Sequence, residues 1–294
     1  MENVKIMVVT HKLFDDSILP KGYQVIKVGN EITEKEAKRK GYLTDSIEDN
    51  IAHQNPWYCE LTAHYWAWKN LDCDICGLVH YRRYFMKNSL FARSFKDDIM
   101  PEEKIIRILK KHKLIVPYMR VKPNDTMTLH KGMPKKQDNR DWIILESIIS
   151  SDYPELMESF NKIVYGTEAW GKNMIITTKD IFDEYSSFLF DVLGKWDKEL
   201  GRRGISRRSR VDGFYSETLM PIWVMAKFKE KDLYRTDVRN SESECDAYEY
   251  YSNSWKTFLK RSLKSIHWLN NRIKQESRKR NYVKVEDLPH SPID

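Results

Sequence analysis

The stretch Cys76-Gly77-Leu78-Val79-His80-Tyr81-Arg82-Arg83-Tyr84-Phe85 decides how the chain is read, because a short apolar run ends abruptly in a histidine, two arginines and three aromatic residues. A buried strand that opens into a cationic cluster is the pattern of an α/β sheet, in which ligands collect outside the carboxyl ends of the strands. The run predicts a strand over Ile75 to His80 and, beyond it, a pocket that favours a flat anionic ligand. The N-terminus repeats the arrangement: Lys5 to Thr10 (KIMVVT) reads as a buried strand that stops at His11-Lys12.

Outward from these two strands, Tyr23 to Val28 reads as a third, closed by Gly29-Asn30, and Glu31 to Asp49 as polar loop with some helix. Asn55-Pro56 makes a helix start, with Asn as N-cap and Pro in the first turn, and Trp57 to Leu71 then runs as one helix without breakers. Aromatic residues on two of its sides mark that helix as buried or as a pocket wall. A helix over Glu102 to Lys113, a strand over Leu114 to Pro117 and a strand over Met174 to Thr178 follow. Further helices are expected over Asp141 to Ser151, Pro154 to Lys162, Lys179 to Leu193 and Phe214 to Met225, the last entered through Asp212-Gly213. Tyr118 to Asn139 has no period and reads as a long functional lid or mobile segment; Lys198 to Arg210 reads as a basic loop. Strands alternating with helices give an α/β class.

The 294 residues suffice for one large domain, expected over 1–250, with a tail over 251–294. With 41% hydrophobic residues, nine Trp and sixteen Tyr the chain is no disordered segment, and with 32% charged residues it has no apolar run of about 18 that would span a membrane. No secretory signal opens it, so the expected location is the cytoplasm. The pair Cys73 and Cys76 reads as two small buried hydrophobes rather than a redox or zinc site, since no second close pair supplies further ligands. The net charge of +7 is uneven: residues 255–280 hold nine Lys or Arg and one Glu, so the remainder is nearly neutral. Apolar residues at helical spacing from Trp255 to Ile273 make this a basic amphipathic helix, which either docks on the domain or lies on an anionic membrane surface. No nucleic-acid motif accompanies it, and nucleic acid is not an expected partner.

The segments Asn55-Pro56-Trp57-Tyr58-Cys59-Glu60-Leu61-Thr62, Tyr65 to Asn70, Gly77 to Phe85, Asn173-Met174 and Glu217-Thr218-Leu219 resemble bacterial capsule and O-antigen glycosyltransferases. That family was long labelled a domain of unknown function and includes galactofuranosyltransferase domains. The likeness runs from Ile6 to Val224, and Val121 to Asp141 departs most from the pattern. It implies a GT-A-like fold: a Rossmann-type half that holds a nucleotide-sugar, followed by an acceptor half. It also implies an inverting transfer of a sugar, galactofuranose by preference, from a UDP-sugar to a lipid-linked glycan in capsule or exopolysaccharide synthesis.

Such a transfer must stabilise a departing nucleotide diphosphate, with a bound metal or with arginine. Asp72-Cys73-Asp74 matches the Asp-x-Asp that holds the metal in many GT-A enzymes, but it precedes the strand Ile75 to His80 and reads as turn or cap chemistry. Where the metal-binding carboxylates would fall stand His80, Tyr81, Arg82 and Arg83, whose guanidinium forks suit phosphate oxygens. The expectation is a metal-independent enzyme with no cofactor, manganese and magnesium remaining open. Arg82 or Arg83 pairing with a structural carboxylate such as Glu60 is the alternative. His11 and Lys12 are expected at the donor's base or phosphate, and Asp49, Asn50 and Tyr58 at its base and ribose. Glu217 is the expected catalytic base and Asp212 its reserve, while Asn173 and Asp141 are assigned to the acceptor side. One of the arginines Arg202, Arg203, Arg207, Arg208 and Arg210 is expected to close on the diphosphate or an anionic acceptor. The competing reading is a non-catalytic nucleotide-sugar or carbohydrate-binding module of a polysaccharide assembly complex; a phosphoryl-transfer enzyme is disfavoured, because no G-x-x-x-x-G-K-[ST] loop is present.

Overall fold

The structure, a computed structural model, describes residues 2–88, 92, 94–118, 120–121, 140–166, 168–169 and 172–244. Its strands are β1 (Val4–Thr10), β2 (Tyr23–Lys27), β3 (Leu43–Thr44), β4 (Ile75–His80), β5 (Arg83–Phe85), β6 (Leu114–Pro117), β7 (Arg120–Val121), β8 (Glu168–Ala169), β9 (Ile175–Thr178), β10 (Leu233–Thr236) and β11 (Val238–Asn240). Its helices are α1 (Glu34–Lys40), α2 (Asn55–Tyr58), α3 (Leu61–Asn70), α4 (Phe95–Asp98), α5 (Glu102–Leu109), α6 (Arg140–Asp152), α7 (Met157–Val164), α8 (Lys179–Arg202), α9 (Val211–Lys227) and α10 (Ser241–Glu244).

One sheet runs in the order β10-β6-β9-β4-β1-β2-β3, with β5 paired to β4 and β11 to β5. β3, β2, β1 and β4 are parallel, β9 lies antiparallel between β4 and β6, and β10 is parallel to β6. Alternation along β1 splits the core into two layers: Met7 and Val9 face α3, α6, α7, α8 and α9, and Val4, Ile6 and Val8 face the layer with α1 and α5. Gly77, in the middle of β4, admits close packing between strands. A Cβ there would meet Ile176 Cγ1 at 2.7 Å and Ile6 Cδ1 at 2.8 Å.

The α/β class and the strands expected at β1, β2, β4, β6 and β9 are present, β2 closing at Lys27 and β9 opening at Ile175. Three expectations change. The helix expected over Trp57 to Leu71 is two, α2 and α3, broken at Cys59. The basic loop is shorter, because α8 continues through Lys198 to Arg202. Cys73 and Cys76 are buried, but as a disulfide and not as separate thiols, the turn from α3 into β4 bringing their Cα atoms to 6.4 Å. β5, β10 and β11 had no apolar period in the sequence to announce them. No helix among the described residues is long and apolar enough to cross a membrane. Of the lid segment expected over Tyr118 to Asn139, Arg120–Val121 form β7, paired with β8, while residues 119 and 122–139, like the basic helix at 255–280, lie outside the described residues.

Candidate active site

Strand order reverses beside β1: β2 and β3 follow on one side, and β4 lies on the other. In an open α/β sheet this switch point leaves a crevice beyond the carboxyl ends of the two strands. The register pairs Val9 with His80, so His11 and Lys12 emerge next to Tyr81, Arg82 and Arg83. Tyr81, only 6% exposed, floors the cluster. His11 meets its ring edge-on at 5.4 Å between centroids and Phe14 at 5.8 Å, while Lys12 Nζ lies 5.2 Å and the Arg82 guanidinium 5.6 Å from the ring centre. Ring faces favour cations at such distances.

One carboxylate joins the two cations. Glu242 Oε1 lies 2.9 Å from Lys12 Nζ, and its Oε2 accepts from Arg82 Nη1 at 3.2 Å. These bonds hold the Glu242 carboxyl below its ordinary pKa, Lys12 contributing most, and raise that of Lys12. The side chain of Arg83, half-buried at the start of β5, forms no hydrogen bond or ion pair among the described residues. Glu60, expected as a partner for one of these arginines, turns elsewhere.

Beneath the cations lies a polar network centred on Asn173, which is fully buried. Its amide nitrogen donates to Glu60 Oε1 and to Ser216 Oγ, each at 2.9 Å, and Ser216 donates on to the Gly213 carbonyl at 2.7 Å. With both amide hydrogens committed, Asn173 Oδ1 is left to accept from His80 Nε2 at 3.3 Å, which assigns the proton of the neutral imidazole to Nε2. Burial lowers the His80 pKa, and Arg83 adds to the effect against the opposing pull of Glu60 and Asn173. His80 is therefore a neutral donor at physiological pH.

Glu60 reaches Asn173 because the chain bends sharply just before it. Cys59 adopts φ 51° and ψ −125°, a left-handed conformation costly for a side chain with a Cβ. Asn55 holds the bend: its Nδ2 donates to the Cys59 carbonyl at 3.0 Å and to Thr62 Oγ1 at 3.3 Å. Asn55 is thus the first residue of α2 and a brace for its end rather than the N-cap expected. Gly213 of α9 lies against this bend, and even a Cβ at that position would come within 3.6 Å of Cys59 Cβ.

A half-buried rivet fixes α9 to the same corner. The Arg207 guanidinium donates to Asp212 Oδ2 at 2.8 Å and to Gln54 Oε1 at 3.0 Å, lies 2.8 Å from Asp197 Oδ1, and covers the ring of Trp57 at 4.7 Å. Tyr58 donates to Asp197 Oδ2 at 3.1 Å. Burial, reinforced by Asp212, pushes the Asp197 carboxyl up to about 7 against the pull of Arg207; burial likewise raises Asp212.

Two expected site residues belong to this rivet. Asp212 is fully buried and held by Arg207, so it cannot meet an acceptor hydroxyl as a reserve base, and Tyr58 is core, stacked on Phe190 with its hydroxyl used by Asp197. Arg207, one of the five loop arginines, acts within the protein. Asp49 and Asn50 do not join the crevice: Asp49 binds Tyr65 and Asn70, the last residue of α3, which leads into the start of β4 at the opposite edge of the sheet. Asn50 caps the turn that follows, accepting from the Ala52 amide at 3.2 Å. At that same far edge Asp74 accepts from the Asn3 amide at 2.7 Å, which makes Asp72 and Asp74 junction residues. Glu217 lies half-buried on the α9 face that carries Gly213 and Ser216, one helical turn beyond Gly213. Asp141 stands in the first turn of α6.

His11, Lys12, His80, Tyr81, Arg82 and Arg83 thus gather at the switch point, with Glu217 on the helix alongside, whereas Asn173, expected at the acceptor, is fully buried with its amide committed to Glu60, Ser216 and His80 and serves to hold these side chains together. The sequence reading missed three participants. Ser216 lay within the helix expected over Phe214 to Met225 and Glu60 within a quoted segment, there only as a structural partner, while Glu242 lay in a polar run without any signal.

A family model described as Domain of unknown function (DUF4422) matches residues 5–229. The chain belongs to the DUF4422 family. Among curated proteins no relative matches. Among solved structures, this DUF4422 chain is similar to the apo structure of the WbbM bifunctional glycosyltransferase, at 24% identity and a TM-score of 0.64 over 81% of the chain. It spans 45% of that protein's length. The mainly parallel sheet flanked by helices is a GT-A-like fold, as the resemblance implied. The resemblance would put a divalent cation at the end of β4. The side chains there, His80 to Arg83, include three bases and no carboxylate, and Glu242 is already held by Lys12 and Arg82, so the donor set does not fit a metal ion.

Proposed function

We propose that the chain is a glycosyltransferase that moves a sugar from a UDP-sugar to a glycan acceptor, with arginine and lysine in place of a metal ion at the leaving diphosphate. The observation that carries this reading is the Lys12, Tyr81, Arg82 and Arg83 cluster at the switch point, set beside a network that holds the Glu60 carboxylate. Negative charge grows on the diphosphate as the glycosidic bond breaks, and fixed guanidinium donors in a partly dry crevice stabilise it without reorganising. His80, neutral and hydrogen-bonded, orients Asn173, which in turn aims Glu60. Glu217 takes the acceptor hydroxyl's proton as that oxygen attacks the anomeric carbon. Galactofuranose as the sugar, a lipid-linked glycan as the acceptor, a cytoplasmic membrane-peripheral setting through residues 255–280, and Asp141 at the acceptor are further parts of this proposal, supported by the resemblance and the charge pattern.

The test is mass spectrometry of a UDP-sugar panel incubated with the protein and glycan acceptors, with and without excess EDTA. One UDP-sugar should be consumed at the same rate in chelator. Glu217→Gln should keep donor affinity and lose at least about 100-fold in transfer. Activity that vanished with EDTA and returned with manganese would refute the arginine-for-metal reading; unaltered transfer by E217Q would remove that residue from the mechanism, and UDP-sugar binding without any transfer would favour the binding module.

A further inference from the structure

The cations assigned to the diphosphate are already occupied. Glu242 spans them with both carboxylate oxygens, 2.9 Å to Lys12 and 3.2 Å to Arg82, above the ring of Tyr81. Two oxygens of one anion bridging an ammonium and a guanidinium is the geometry that a phosphate group adopts between the same donors. Nor is Glu242 a chance contact of a loose surface residue. β11 pairs with β5 so that Asn240 faces Arg83, and the Ser241 amide donates to the Arg82 carbonyl at 2.9 Å. Arg239, one residue before, is riveted by the buried Asp98 at 3.0 Å. The Glu242 amide is itself held by Asn240 Oδ1 at 3.0 Å. The backbone therefore delivers this carboxylate to the anion position.

We propose that Glu242 is an internal stand-in for the donor's diphosphate, occupying the site between Lys12 and Arg82 and competing with the nucleotide for it. The inference rests on the nucleotide-sugar reading above. When a nucleoside diphosphate arrives, its oxygens replace the carboxylate, and Glu242, negatively charged beside a second anion, is expelled together with α10. The empty enzyme thus keeps its cations paired, and binding the donor detaches α10.

Calorimetric titration of the full chain with UDP tests this. Glu242→Gln keeps the side-chain shape and removes the competing charge; exposed ion pairs of this kind predict a gain of about 3- to 30-fold in UDP affinity. Glu184→Gln, which removes a similarly exposed charge paired with Lys227 far from the crevice, should leave affinity at the wild-type value. Inorganic pyrophosphate, titrated in parallel, should show the same gain in E242Q. If the wild type binds UDP and E242Q binds it no more tightly, Glu242 positions the cations instead of competing, and the inference falls while the proposed function stands. A gain for pyrophosphate without one for UDP overturns the assignment to the donor. If neither protein binds UDP, the nucleotide-sugar reading fails and takes this inference with it.

Discussion

Replacing Asn173 by aspartate keeps the side chain's shape and inverts its hydrogen bonding. The amide nitrogen donates to Glu60 Oε1 and Ser216 Oγ, both at 2.9 Å, and an ionised carboxylate donates to neither. Two ionised carboxylates at that separation repel by about 6 kcal/mol at an effective dielectric of 20, so the folded variant holds a proton on the pair at a pKa above the ordinary carboxylate range. The sign of the pH dependence follows. The folded variant binds more protons than the unfolded chain from about pH 4 upward, and its stability falls by about 1.4 kcal/mol per pH unit until the raised pKa is passed. We expect Asn173→Asp to be about 3 kcal/mol less stable than the wild type at pH 8, and the gap to narrow on going to pH 5. For a domain of this size that is a melting temperature lower by about 6–12 °C at pH 8. A carboxylate facing Nε2 also raises the His80 pKa, which NMR titration of the imidazole reads directly. Melting within about 2 °C of the wild type at pH 8, or a gap that stays constant on acidification, would refute the network.

The half-buried carboxyl of Asp197 carries its own pH signature. Its pKa, pushed up to about 7, keeps a proton in the folded state that the unfolded chain releases near pH 4, so its contribution to stability declines as pH rises across that window. Asp197→Asn removes the titration, and its melting temperature should fall less than the wild type's between pH 5 and pH 8; parallel curves would show that Asp197 titrates normally. In the sheet, Gly77→Ala drives a methyl to 2.7 Å from Ile176 and 2.8 Å from Ile6 and should cost about 1–3 kcal/mol, seen as a lower midpoint in urea at unchanged slope, whereas a neutral result would mean that β4 can shift between its neighbours.

The strands next to the site were legible because each is a short apolar run with a charged stop. A side chain that must be dry, followed at once by one that must be wet, places the end of β1 to within a residue, Thr10 before His11, and the end of β4 at His80 to within the one buried residue, Tyr81, that precedes Arg82. The break in the helix was not legible. Nothing in Trp57 to Leu71 opposes a continuous helix locally; the bend at Cys59 exists because Asn55 and Thr62 satisfy its backbone carbonyl. Asp212 shows the opposite failure. A carboxylate beside a glycine at a helix start looks available, and only packing reveals Arg207 from the preceding loop covering it.

Local patterning determined by itself the α/β class, the strands that bear the crevice and the cationic character of their ends, because burial and periodicity act over a few residues. Tertiary structure alone decided which charges remain available. Glu242 reaches Lys12 and Arg82 across more than 150 residues of chain, and Asn173 gathers His80, Glu60 and Ser216 from three separate elements. A charge acts through its nearest neighbours in space, and for a side chain at the end of a strand those neighbours are set by the sheet order and not by the chain.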